Sequence, residues 1–166
     1  MAKKGDKTKN RAAVVLLIQG DSDHLELTKK CLLLQGDMVI ETASSAIEAF
    51  QKMAITKPDV IVCDLSFPLG DGFDFLRRLR EDGDDTPLIS FAYNDEKDLV
   101  LKSLDLGADG FVFKSSNTAA VFEELRNLIV SLVHDLRLLC KCSSADQNSE
   151  VDSKSQTTKK DVIQSQ

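Results

Sequence analysis

The sequence of 166 residues contains no tryptophan, one tyrosine, three prolines and eight glycines. The lack of tryptophan argues against a flavoprotein, because no indole ring can stack on a flavin. The longest uncharged apolar run near the N-terminus, residues 12–18, is far shorter than the ~20 residues that a membrane-spanning helix needs. No small-residue cleavage site of a secretory signal follows this run. We therefore expect a cytoplasmic protein without a membrane segment.

Cysteine is also scarce, and the four cysteines are Cys31, Cys63, Cys140 and Cys142. In a chain without a secretory signal we expect them to be reduced thiols. Only Cys140 and Cys142 lie close together in the sequence, and a single C-x-C pair has no second pair to complete a zinc site. The cysteines therefore predict neither a disulfide framework nor a structural zinc ion.

The net charge of −6 is unevenly distributed along the chain. Residues 1–11 carry +4, residues 12–142 carry −9 and residues 143–166 carry −1. An acidic body argues against a surface that binds nucleic acid, and no helix-turn-helix pattern or basic recognition helix is present, so we expect no direct DNA binding. The acidic body is compatible with a group of carboxylates that binds a divalent cation.

Short apolar runs alternate with helical patterns along most of the chain. The continuous run Val14–Ile18 predicts a strand that is buried on both faces. The predicted strands are 14–18, 38–42, 60–63, 87–92 and 111–113, each followed by a helix. This alternation predicts a flavodoxin-like, doubly wound α/β fold: one five-stranded parallel sheet in the order 2-1-3-4-5, with an extended C-terminal helix.

Capping residues and glycines set the expected helix boundaries. We expect the segment Asp21–Asp23 to cap the first helix and Asn94 with Asp95 to open the fourth. The third helix is expected to follow the loop that ends at Gly72. Neither a G-x-G-x-x-G motif nor a P-loop occurs, which argues against nucleotide binding and against a metabolic enzyme of flavodoxin-like architecture.

Ligands of open parallel sheets bind beyond the carboxyl ends of the strands. The residues expected to meet there are Gln19–Asp21 after the first strand, Ala92 and Tyr93 after the fourth, Lys114 after the fifth, and Asp64, which directly follows the third strand. A carboxylate in this position can bind Mg²⁺ or attack a phosphoryl group, and an ammonium group can neutralise a phosphoryl oxygen. The alternative is that Asp64 only terminates its strand.

Two motifs at these strand ends resemble a known family. Asp64 begins the pattern D-x-x-x-P-x-x-D-G, and Lys114, which lies 50 residues later, ends the pattern G-A-x-G-F-x-x-K. With these motifs, residues 13–130 resemble the CheY-like receiver domain of two-component response regulators. The resemblance implies that Asp64 accepts a phosphoryl group from a sensor histidine kinase and that the chain then signals through a downstream protein partner.

The resemblance also implies roles for other residues of the same site. It assigns Lys114 to contact with the phosphoryl group and Phe111 to an aromatic switch position. It assigns the backbone carbonyl group of Ser66 to Mg²⁺, together with Asp64. The chemistry agrees with these roles, since phosphoryl transfer needs an in-line nucleophile and cations that spread the developing charge.

The sequence departs from the family pattern at the acidic pair that follows the first strand. Gln19 and Gly20 occupy these two positions, and only the next residue, Asp21, is acidic. A glycine offers no side-chain oxygen, so Asp21 would become a metal ligand only through a one-residue shift of the loop. Fewer anionic ligands imply that Mg²⁺ binds weakly.

Two further departures concern the switch. The family has a serine or threonine at the end of the fourth strand, where this chain has Ala92. Ser90 is predicted on the same strand face but about 7 Å deeper, and Asn94 lies in the following loop. Lys114 is followed by Ser115 rather than by proline, so a cis peptide bond there would cost roughly 2.5–4 kcal/mol.

Two functional interpretations stay open. We favour the first, in which Asp64 is still phosphorylated, with an altered readout, because Asp64 and Lys114 are both present on an otherwise matching loop pattern. In the second, the chain is a degenerate receiver that is not phosphorylated and serves as a protein-interaction or dimerisation module. No chemistry beyond self-phosphorylation and autodephosphorylation is expected, so the chain is not predicted to be an enzyme.

The last helix extends past the region of resemblance. We divide the chain into a disordered basic arm (1–11), a receiver domain (12–130), a helical extension (131–142) and a disordered polar tail (143–166). The apolar residues of the helix have the 3-4-3-4-3 spacing of a coiled coil, so it either forms a longer core helix or pairs with a second copy. The segment beginning at His134 resembles a kinase histidine box, although a solvated helical histidine is the simpler interpretation.

Overall fold

The computed structural model describes residues 11–65 and 71–145. The strands are β1 (Ala13–Ile18), β2 (Met38–Ala43), β3 (Val60–Asp64), β4 (Leu88–Tyr93) and β5 (Gly110–Lys114). The helices are α1 (Ser22–Leu34), α2 (Ala46–Ile55), α3 (Asp71–Glu81), α4 (Lys97–Asp105) and α5 (Thr118–Ala145). The strands form one parallel sheet in the order β2-β1-β3-β4-β5, which confirms the predicted topology.

Both faces of the sheet are buried, as the apolar strand sequences predict. Residues 15–18 of β1 are at most 2% exposed. Val15 and Leu17 belong to a core that also contains apolar residues of α1 and α5, whereas Leu16 and Ile18 pack with residues of α2 and α3. Alternate side chains of one strand therefore anchor opposite helical layers, which holds the strand ends rigidly in place.

Two of the predicted helix starts are wrong. Helix α3 begins at Asp71 rather than after Gly72, so the glycine lies in its first turn. Helix α4 begins at Lys97, with Glu96 as its N-cap residue, and not at Asn94 or Asp95. The Glu96 carboxylate accepts a hydrogen bond from the Tyr93 backbone at 2.7 Å, and the Glu96 N–H group donates to the Tyr93 carbonyl group at 3.0 Å. This closed turn contains both residues that were expected to open the helix.

Helix α5 extends to Ala145, three residues past the predicted boundary at residue 142. The chain divides into one unit that ends at Val133 and a second unit that begins at His134. In the first unit, Phe122, Leu125 and Ile129 are buried in the core that contains the sheet, so this part of the coiled-coil spacing reflects core packing. The predicted disordered segments, apart from Arg11 and residues 143–145, lie outside the described residues.

None of the helices in residues 11–65 and 71–145 is long and apolar enough to cross a lipid bilayer.

At the N-terminal end of the sheet, Arg11 donates a hydrogen bond to Asp59 at 2.6 Å. The second carboxylate oxygen of Asp59 accepts from the backbone of Val14 at 2.8 Å. The start of β1 is thereby tied to the residue that precedes β3.

Arg80 of α3 joins two loops, the one before β4 and the one before β5, at the N-terminal end of the sheet. Its guanidinium group donates to the backbone carbonyl groups of Gly107, Asp84 and Thr86 at 3.0, 2.6 and 3.0 Å. It also forms an ion pair with Asp109 at 3.0 Å. Because one rigid group satisfies four acceptors, Arg80 fixes the entry to β4 and β5.

Replacement of Arg80 by alanine should lower the free energy of unfolding by about 2 kcal/mol, because several acceptors lose a charged donor. Arg77→Ala is the matched control on the same helix. Arg77 is half exposed and pairs with exposed Asp74 at 3.1 Å, so its loss should cost less than about 1 kcal/mol. Urea unfolding followed by circular dichroism measures both values, and equal losses would contradict the role of Arg80.

Candidate functional site

The sheet register brings Gln19, Asp64 and Lys114 together at one edge. Asp64 is the last residue of β3, Lys114 is the last residue of β5, and Gln19 directly follows β1. The backbone N–H group of Gln19 still bonds to the Ala43 carbonyl group at 3.1 Å, which extends the β1–β2 ladder by one residue. Residues distant in the sequence therefore meet because parallel strands end at the same edge.

Asp64 and Lys114 form a nearly buried ion pair. The Lys114 ammonium nitrogen lies 2.5 Å from Asp64 Oδ2, and the side chains are 12% and 9% exposed. The ammonium nitrogen also lies 5.0 Å from the centre of the Phe91 ring and 4.5 Å from that of the Tyr93 ring. Aromatic faces attract cations, so the two rings hold the ammonium group beside the carboxylate.

Gln19 is a second hydrogen-bond donor to the same carboxylate oxygen. Its Nε2 atom lies 3.0 Å from Asp64 Oδ2. On the other side of the amide, the Thr28 hydroxyl group donates to Gln19 Oε1 at 3.4 Å. Gln19 and Thr28 are 3% and 4% exposed, so this chain of polar groups runs through the interior from α1 to Asp64.

The sequence pattern alone did not predict these hydrogen bonds. The sequence predicts that Gln19 lies at this edge, but it assigns Gln19 no bond to Asp64 and gives Thr28 no role. A signal was nevertheless present, because Thr28 lies three residues after Leu25 and four before Leu32, on the buried stripe of α1. A polar residue on such a stripe needs a buried hydrogen-bonding partner.

Asp21 caps helix α1. Its Oδ1 atom accepts from the backbone N–H groups of Asp23 and His24 at 2.9 and 3.0 Å, which confirms the predicted cap. The His24 N–H group is the main reason why the pKa of Asp21 lies below its ordinary value. The Asp21 side chain is 57% exposed, and Gly20 before it is exposed as well. The structure therefore places Asp21 at the helix terminus, with its carboxylate engaged there.

The residues at this edge do not fit the expected Mg²⁺ site. In residues 11–65 and 71–145, no group of three or more acidic, histidine or cysteine side chains is arranged to hold a metal ion. Ser66, whose carbonyl group is the other expected ligand, lies outside these residues. Gln19 presents an N–H group rather than an oxygen toward Asp64, whereas Mg²⁺ requires oxygen ligands.

The switch position is apolar in this chain. Ala92 is fully buried in a cluster with Leu65, Phe73 and Val100. The Ser90 hydroxyl group donates to Ser103 at 2.8 Å, so it is engaged with α4. The end of β4 therefore contributes no hydroxyl group at position 92, and that of Ser90 is engaged elsewhere.

The side chain at the aromatic switch position, Phe111, is partly exposed to solvent. Phe111 is 40% exposed and packs edge-to-face on Phe113, with 5.2 Å between ring centres. Asn94 lies exposed in the turn after β4, and every described peptide bond is trans, including the one between Lys114 and Ser115. The His134 side chain is 68% exposed in the second unit.

Gly72 allows α3 to approach Asp64 closely. A Cβ atom at Gly72 would lie 3.2 Å from the backbone carbonyl oxygen of Asp64 and 3.5 Å from the sulfur of Cys63. Any larger residue would push the first turn of α3 away from the end of β3. The D-G step of the first motif therefore has a steric role in building the site.

Comparisons with known proteins agree with this geometry. The family model described as "Response regulator receiver domain" matches residues 15–126. "Response regulator MprA" of Mycobacterium leprae (strain TN) is 30% identical over 115 residues, which cover 69% of this chain and 50% of the relative. The MprA protein of Mycobacterium ulcerans (strain Agy99) is 29% identical, with 69% and 49% coverage. This chain thus spans about half the length of the curated relatives it matches.

Solved structures show the same fold. The Francisella response regulator 1452 receiver domain superimposes with a TM-score of 0.64 and 24% identity, covering 75% of this chain and 98% of that chain. The chemotaxis response regulator CheY4 of Vibrio cholerae gives a TM-score of 0.60 and 23% identity, with 70% and 98% coverage. Since the family match covers more than half of the sequence, this chain belongs to the response regulator receiver domains, the CheY-like domains of two-component signalling.

Proposed function

We propose that this chain is a cytoplasmic receiver that accepts a phosphoryl group on Asp64 from a sensor histidine kinase and signals through a protein partner. The observation that carries this proposal is the ion pair at the sheet edge, in which Lys114 Nζ lies 2.5 Å from Asp64 Oδ2. A nucleophilic carboxylate and a cation for the transferred group are thus already adjacent.

The reaction follows from this arrangement. A carboxylate oxygen of Asp64 attacks the phosphorus atom of a phosphohistidine and forms a new P–O bond. The P–N bond to the imidazole breaks, its electron pair stays on nitrogen, and the imidazole regains a proton according to the pH. Negative charge moves from the carboxylate to the phosphoryl oxygens, so the Lys114 ammonium group can move with it and stabilise the transferred group.

A second candidate function is a receiver that is not phosphorylated and acts as a docking module. Two observations favour it. Asp64 Oδ2 already accepts bonds from both Lys114 and Gln19, and Ala92 is packed among apolar side chains, so no hydroxyl group at position 92 can follow a phosphoryl group. In this function the present contacts are the permanent state of the site. Dimerisation through the last part of α5 stays a prediction under either function.

Incubation of the full chain with phosphoramidate or acetyl phosphate distinguishes the two functions. In buffer that contains Mg²⁺, we expect intact mass spectrometry to show a gain of one phosphoryl group. Asp64→Asn should abolish the gain, because an amide cannot form the acyl phosphate. Asp95→Asn is the matched control, since Asp95 is an exposed carboxylate in the loop after β4 and should not affect the gain. An unmodified wild-type chain would favour the docking module.

The coupling between Asp64 and Lys114 can be measured without phosphorylation. Lys114→Met should lower the free energy of unfolding by about 3 kcal/mol, because the Asp64 carboxylate would stay buried without its cation. The double variant Asp64→Asn/Lys114→Met removes both charges and should recover most of that loss. Chemical denaturation of the variants measures both values. A double variant no more stable than Lys114→Met would contradict the coupling.

A further inference from the structure

A buried chain of hydrogen bonds links helix α1 to the proposed phosphoacceptor. Thr28 donates to Gln19 Oε1 at 3.4 Å, and Gln19 Nε2 donates to Asp64 Oδ2 at 3.0 Å. All three residues are less than 10% exposed. The route starts on one face of α1 and ends at the carboxyl end of β3.

The chemistry of these groups permits only one orientation of the Gln19 amide. An ionised carboxylate only accepts hydrogen bonds, so the NH₂ side of the amide must face Asp64. The amide oxygen then faces α1, where the Thr28 hydroxyl group supplies the matching donor. Thr28 therefore stabilises the orientation in which the Gln19 NH₂ group donates a hydrogen bond to Asp64.

The charges of the Asp64–Lys114 pair balance each other. Asp64 carries one negative charge, Lys114 one positive charge and Gln19 none. Receiver domains typically bind Mg²⁺ beside the phosphorylated residue. Asp64, Lys114 and Gln19 together have no net negative charge to attract a divalent cation, and an N–H group of Gln19 points at Asp64 Oδ2.

We propose that Gln19, oriented by Thr28, is the positioning residue of Asp64 and takes the place of a divalent cation. Asp64 is thereby held for reaction without metal. The inference rests on the proposed function only in treating Asp64 as the phosphoacceptor, because the contact itself is independent of phosphorylation.

The hydrogen bond has a direct spectroscopic test in the full chain. Nuclear magnetic resonance of ¹⁵N-labelled protein should show a slowly exchanging side-chain NH₂ group of Gln19, assigned by its loss in Gln19→Met. This signal should shift in Asp64→Asn and in Thr28→Val, whereas Thr28→Ser retains the hydroxyl group and should restore it. It should not respond to Mg²⁺ or to EDTA. A Gln19 resonance whose chemical shift is unchanged in Asp64→Asn, or changes with Mg²⁺, would overturn the inference.

Metal binding provides a second test. Gln19→Glu puts a carboxylate beside Asp64 and should raise the affinity for Mg²⁺ about tenfold or more, as measured by calorimetry. Gln51→Glu makes the same charge change at an exposed position of α2 and should leave the affinity unchanged. Equal Mg²⁺ affinities in the wild-type chain and Gln19→Glu would count against Gln19 as the replacement for the cation.

Phosphorylation separates this inference from the proposed function. With phosphoramidate, the wild-type chain should gain a similar amount of phosphoryl group in Mg²⁺ and in EDTA, whereas Gln19→Glu should depend on Mg²⁺. Modification of the wild-type chain only in Mg²⁺ would overturn the inference and leave the proposed function intact. No modification in either buffer would overturn the proposed function, while the resonance of Gln19 would still decide whether it positions Asp64.

Discussion

A carboxylate buried at the end of a central strand must be compensated, and the architecture of this site follows from that requirement. Asp64 is 6% exposed, and removal of an ion from water costs several kcal/mol unless charges and hydrogen bonds replace the lost hydration. Lys114 supplies the charge and Gln19 a hydrogen bond. Neither residue is near Asp64 in the sequence, so the compensation exists only once the four parallel strands β1, β3, β4 and β5 are in register. Folding of the sheet and assembly of the site are thus one event.

Asp64 has polar connections on both sides of β3, to Gln19 after β1 and to Lys114 at the end of β5. Gln19 leads to Thr28 and α1, and on β4 the Ala92 side chain packs in an apolar cluster. The Ser90 hydroxyl group is engaged with Ser103, which in turn donates to the Val100 carbonyl group at 2.7 Å. Asp64 is therefore connected to α1 by hydrogen bonds through Gln19 and Thr28.

The sequence predicted the order of elements well because continuous apolar strands and short crossovers leave few alternative topologies. It also predicted that Asp64 and Lys114 meet, since both end strands of one parallel sheet. It did not predict the Gln19–Thr28 contact, because that contact depends on the rotation of α1 about its axis. The start of α4 was wrong for a related reason: the intrinsic capping tendency of Asn94 and Asp95 competed with a turn closed by Glu96. Local propensities are overridden where a tertiary contact or a turn contact determines the backbone conformation.

Position 19 has more influence on the electrostatics of this site than position 20. Gly20 is exposed, whereas Gln19 is 3% exposed and bonded to Asp64. A carboxylate at position 20 alone would leave the Gln19 N–H group on Asp64 Oδ2 and would remain largely hydrated. A carboxylate at position 19 would replace a donor by a second buried negative charge, and a divalent cation could then balance the pair. The neutral amide at position 19 is therefore the feature on which the proposed site without metal depends.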